Sequence, residues 1–139
     1  MNNEMNLEGG CLCGAVRYSA SGSPFAAEYC HCRMCQKSVG SVVVNWMDFY
    51  FEQVKWTIGK PTEYKSSETV RRGFCVKCGS SISFRDTRYP EYMTLSVASL
   101  DDPDLVQPSH HIYTESQVKW LKIDDNCKRF PKQPVKSPD

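Results

Sequence analysis

The sequence predicts a mainly β domain with very little helix, on three observations. Runs of β-type residues recur along the chain, with turn-forming residues between nearly all of them. No long segment keeps helical spacing with a cap at each end. Close pairs of cysteines sit where such runs meet turns, as at Cys11-Leu12-Cys13-Gly14 and Cys75-Val76-Lys77-Cys78-Gly79.

Taken in order, residues 15–20 alternate, placing Ala15, Arg17 and Ser19 on one face and Val16, Tyr18 and Ala20 on the other. Ser21-Gly22-Ser23-Pro24 then turns the chain. Further strands are expected over residues 41–46, rich in valine, and over 49–58, 70–74, 81–84, 92–97 and 110–113. Gly59-Lys60-Pro61, Cys78-Gly79-Ser80, Tyr89-Pro90 and Asp102-Pro103-Asp104 supply the breaks. One short helix is expected from about Cys32 through Lys37, and a further helical turn after Ser99, where Asp101 and Asp102 suit a helix N-terminus. Residues 7–127 read as one domain. The stretch 128–139, with three prolines and interspersed basic residues, reads as a disordered tail.

Composition narrows the function. With 139 residues the chain suits one domain of ordinary size, and 40% hydrophobic with 24% charged residues is globular usage. A formal net charge of +1 lacks the basic excess that drives non-specific nucleic-acid binding. Neither a leader-like segment nor an apolar run of membrane-spanning length is present, so a cytoplasmic protein that binds no membrane is expected. Eight cysteines in a reducing compartment point to metal, zinc first, rather than to disulfides.

The cysteines divide into two groups. Cys11 and Cys13, at i and i+2 in extended chain, project to one side, and Cys75-x-x-Cys78-Gly79 is a zinc knuckle whose glycine permits the tight bend. Joining these halves closes a loop of about sixty residues, at a cost near 3.5 to 4 kcal/mol plus a constant. A four-thiolate zinc contributes roughly 10 to 16 kcal/mol, so this clamp is expected to be a condition of folding.

Between the halves, Cys30, Cys32 and Cys35 fall at a strand-to-helix junction that can aim three sulfurs at one point. Three protein ligands leave a tetrahedral zinc one vacancy, the mark of a catalytic rather than a structural site. Arg33 and Lys37 would favour the thiolates. Two other readings stay open for this group: a second closed site with His31 as fourth ligand, and a redox dithiol at Cys32-x-x-Cys35. Cys127 stands apart as a spare thiol. His31 is also the nearest candidate proton carrier, with a structural role the plainer alternative.

Gly10-Cys11-Leu12-Cys13-Gly14, Cys30-His31-Cys32-Arg33-Met34-Cys35 and Phe74-Cys75-Val76-Lys77-Cys78-Gly79-Ser80 together resemble the glutathione-dependent formaldehyde-activating enzyme family, which includes centromere protein V. Ser99-Leu100-Asp101-Asp102-Pro103, His110-His111-Ile112-Tyr113 and Trp120 extend the resemblance. It implies a β-tent fold, several small antiparallel sheets around a structural zinc on Cys11, Cys13, Cys75 and Cys78. It also implies a second, labile catalytic zinc on Cys30, Cys32 and Cys35, hence two ions per chain. The implied reaction joins glutathione, or a related thiol, to a small aldehyde such as formaldehyde, a carbon–sulfur lyase reaction run in the synthetic direction. The rival expectation is a binding module in which both zincs are architectural.

Carboxylates on such a thiol call for cations, and Arg33, Lys37, Arg71 and Arg72 are the candidates, each also readable as ordinary surface charge. Trp46, Trp56 and Trp120 could wall a pocket, although aromatics at strand spacing usually serve the core.

Overall fold

In a computed structural model, which describes residues 5–134, strands are the main regular structure. They are β1 (Asn6–Gly10), β2 (Arg17–Ser21), β3 (Ala26–Cys30), β4 (Val44–Tyr50), β5 (Val54–Ile58) and β6 (Thr62–Lys65). β7 (Val70–Phe74), β8 (Ser81–Asp86), β9 (Tyr92–Ser96), β10 (His110–Ile112) and β11 (Lys128–Arg129) follow. One α-helix, α1 (Arg33–Val39), joins β3 to β4. A three-stranded sheet runs β1-β2-β5 and an eight-stranded sheet runs β11-β10-β3-β4-β9-β8-β7-β6.

The main core lies where the three-stranded sheet faces the large one. β1 and β2 send in Leu7, Tyr18 and Ala20, and β4, β8 and β9 send in Met47, Phe49, Ile82, Met93 and Leu95. The alternation expected over residues 15–20 is met, since Val16, Tyr18 and Ala20 are all buried. Strand β4 is covered on both faces: Met47 and Phe49 enter this core, while Val44 and Trp46 enter a second cluster with Cys30, Cys35 and Ile112. In β8 a register shift lets Ser81 and Ser83 pair with the successive residues Phe74 and Gly73, leaving Ile82 as the extra residue. That bulge turns Ile82 to the main core although Phe84, two residues on, packs in the second cluster.

Several expectations are revised. The expected strand over 49–58 is broken by a 3-10 turn at Phe51–Gln53 into the end of β4 and β5. Strands β1 and β6 have no counterpart in the sequence reading, and β3 only its end at Cys30: β1 ends in two glycines, β3 begins Ala26-Ala27-Glu28, and every residue of β6 is exposed. The mainly β class with more than one sheet is as expected, and the large sheet is parallel at one end, where β10 pairs with β3 and β11.

The loose tail expected from residue 128 begins as structure. Lys128–Arg129 is strand β11, and Phe130 donates its N–H to the His111 carbonyl and packs against the second cluster. Its last five positions, 135–139, lie outside the described residues. Among the described residues no helix is long and apolar enough to cross a membrane.

Candidate metal and thiol site

Two turns build the first group. After β1, Cys11 donates its N–H to the Val16 carbonyl and Gly14 donates to Cys11, with Gly14 at φ +84°. After β7, Gly79 donates to the Cys75 carbonyl and Cys75 to that of Ser80, with Gly79 at φ +80°. Both glycines occupy the left-handed region that a side chain would resist. Leu12 N–H donates to Ser80 Oγ at 3.0 Å, stitching the two turns together.

This geometry gathers the thiols of Cys11, Cys13, Cys75 and Cys78 so that all their sulfurs lie within 4.8 Å of one another. Among the described residues no other group of three or more metal-ligating side chains is drawn that closely together. The neighbouring separations are 3.7 Å for Cys11–Cys13 and 3.8 Å for Cys13–Cys75. A regular tetrahedron of sulfurs at zinc's bonding radius has an edge of about 3.8 Å, so the residues fit a four-thiolate zinc. Val16 N–H points at Cys11 Sγ, and Ser80 holds the Cys78 thiol down at about 5, which readies both sulfurs as thiolates.

The second group stands at the junction of β3 and α1, as its spacing predicts. Cys30 ends β3, Cys32 is the extended residue before the helix with φ −64° and ψ 134°, and Cys35 lies on its first turn. The three thiols interact: Cys30 and Cys35 together hold Cys32 down at about 2, while Cys32, then Cys35, push Cys30 well above the ordinary thiol value. Cys30 and Cys35 are buried, and Cys32 is the half-buried member through which solvent reaches the group.

Side chains from distant segments complete the surroundings. Arg72 of β7 is only 6% exposed and brings Nη1 to 3.4 Å from Cys35 Sγ, with its Nε donating to Ser66 Oγ and its guanidinium over the Phe84 ring. A cavity of about 240 Å³ opens beside it, walled by Ser38 at the end of α1, Tyr64, Phe74 and Ser81. Tyr113, the one non-glycine residue at positive φ (56°) among those described, packs on the same cluster, and burial raises its hydroxyl above the usual tyrosine value.

His31 departs from the proton-carrier expectation. Its ring is fully buried and its Nε2 lies 2.8 Å from His111 Nδ1, while His111 Nε2 meets Asp125 Oδ2 at 3.0 Å. Arg129 closes the chain on the Asp125 carboxylate at 2.9 Å. Burial, then the neighbouring His111, lowers His31 to about 4, so it is neutral at physiological pH. Its Nδ1 is buried without a partner, as is Trp46 Nε1.

The remaining candidates are otherwise engaged. Arg33 is engaged with Gln36, and Arg71 with backbone carbonyls around Ser67. Trp46 and Trp56 pack in the two cores and Trp120 is 73% exposed, so the tryptophans wall no common pocket. The sequence reading missed His111 and Asp125 as partners of His31, and did not single out Arg72 among the cations. Only a doubled histidine, His110-His111, marked the spot in advance.

A β domain with a four-thiol group that could hold a metal, and three more thiols less closely gathered at a strand-to-helix junction, defines a cysteine-rich class of protein. Within that class, this chain belongs to the glutathione-dependent formaldehyde-activating enzyme family, whose model matches residues 6–116. A Halomonas elongata protein provisionally named as such an enzyme is 30% identical over 137 residues, spanning 88% of this chain and 87% of its own length. The crystal structure of a Rhodobacter sphaeroides protein matches with a TM-score of 0.59 at 27% identity, covering 73% of this chain and 96% of that one. Both cysteine groups fall inside the family match, whereas Asp125 and Arg129 lie beyond it.

Proposed function

We propose that the protein adds a low-molecular-weight thiol of the glutathione type to a small aldehyde such as formaldehyde, forming a carbon–sulfur bond. Family membership and the half-buried thiol trio support this reading, in which Cys11, Cys13, Cys75 and Cys78 hold a structural zinc and Cys30, Cys32 and Cys35 a catalytic one. The single observation that carries it is the trio's asymmetry: two sulfurs are sealed in the second core and the third opens to solvent. A zinc ion on the trio would supply a position for an incoming thiol and lower its pKa.

The chain's own residues do the rest. Arg72 offers positive charge next to Cys35 and is itself part of the wall of a cavity. Tyr113, with its hydroxyl kept protonated, is the better-placed donor to the oxygen that gains negative charge as sulfur adds to the carbonyl. The sulfur–carbon bond forms as the carbonyl π pair moves to oxygen, and that oxygen takes the proton. Holding thiol and aldehyde together is the main source of rate.

One observation favours a second reading, a closed site with His31 as fourth ligand. Its unpartnered Nδ1, with the other nitrogen tied to His111 and Asp125, is the pattern of a metal-binding imidazole. The test is the spectrum of the cobalt-loaded protein. An open trio changes its ligand-field and sulfur-to-metal bands on adding glutathione and consumes formaldehyde with it. A closed site shows no spectral response and no turnover.

A further inference from the structure

Arginine does not lose its proton in proteins, and moving its charge out of water costs several kcal/mol unless an anion lies close by. Arg72 meets that situation without the usual partner. Its side chain is buried under the Phe84 ring, and among the described residues no carboxylate forms an ion pair with it. What it touches is sulfur, Cys35 Sγ at 3.4 Å, and the hydroxyl of Ser66.

The placement follows from sheet register. Arg72 on β7 stands directly opposite Phe84 on β8 and Tyr64 on β6, and its neighbour Gly73 is held bare by Ser83 and Pro61. Cys35 arrives from above on α1, which packs on β4 of the same sheet. The contact therefore joins two elements that approach independently.

Three thiolates and one Zn²⁺ sum to −1, and a further thiolate brings the sum to −2 in surroundings that are mostly buried. Arg72 returns those sums to 0 and −1. We propose, resting on the open-site reading above, that Arg72 is a positioning residue that offsets the charge of the Cys30, Cys32 and Cys35 thiolates, allowing the site to accept an anionic thiolate. Its place is at buried Cys35, away from the half-buried Cys32 through which that ligand would enter. This role differs from binding a substrate carboxylate, for which a surface cation would serve.

The two roles separate by choice of thiol. Glutathione carries carboxylates and 2-mercaptoethanol carries none, so charge compensation affects both while a carboxylate contact affects only the first. Cobalt-loaded wild type, Arg72→Gln and Arg72→Lys are titrated with each thiol, reading the change in the sulfur-to-cobalt band. The charge role predicts at least tenfold weaker uptake of both thiols by Arg72→Gln, with Arg72→Lys recovering most of it. The four-thiol site's own cobalt band reports that each variant is folded. Weakening for glutathione alone, or unchanged uptake of both, overturns the proposal while leaving the open site standing. A wild type that responds to neither thiol removes the open-site reading and this role with it.

Discussion

Asp125 shows how one residue far along the chain can be tied to a buried histidine. Its carboxylate is held below the ordinary aspartate value chiefly by His111, with the Cys127 N–H and Arg129 adding to the effect. A depressed carboxylate stabilises the fold in full above its unfolded value, about pH 3.9, and that stabilisation is lost as pH falls through the lower folded value. Asp125→Asn is therefore expected to lower stability near neutrality and to flatten the acid limb below about pH 4, relative to wild type. Denaturant midpoints of both proteins at a series of pH values check this, and parallel acid limbs would count against the link. The same residue shows what the sequence could not disclose. Cys30, Cys32 and Cys35 were legible because their spacing is local, whereas Arg72 reaches Cys35 across 37 positions and His31 meets His111 across 80. Nothing in local pattern marks such meetings.

At the scale of elements, legibility followed local signal. Strand β7 matches its expected limits and α1 nearly does, because a turn glycine closes it: Gly40, at φ +85°, donates its N–H to the Gln36 carbonyl. Strand β6 escaped notice because it is an edge strand made of Thr62, Glu63, Tyr64 and Lys65, whose exposed charges suit an unpaired margin and leave no apolar alternation. Strand β11 escaped because its pairing with β10 comes from chain that reads as a tail. Strand β4 is the element on which both cores depend. Truncating Phe49, fully buried on its main-core face, is expected to lower stability by about 3 to 5 kcal/mol. The trio packs on the opposite face, so Phe49→Ala that still folds should keep its thiol-dependent cobalt response. A loss under about 1 kcal/mol in denaturant titration would show that this core is less tightly filled than the packing indicates.

Across the whole molecule the two sulfur groups divide the work. The four-thiol group joins the turn after β1 to the turn after β7, and so ties the small sheet to the large one. The trio bridges only β3 and the start of α1, so the sheets keep their connection without it. Cys75→Ser should therefore leave protein that does not fold stably, while Cys32→Ser should fold and lose one metal, as metal analysis and circular dichroism of the two variants would show. The most direct measurement is stepwise removal of zinc from the wild-type protein by a chelator, with circular dichroism followed throughout. Two zincs per chain, the first leaving while the β signal holds and the second leaving together with it, is the predicted result. A single zinc, or two that depart together with the fold, would contradict the division into a clamp and an open site.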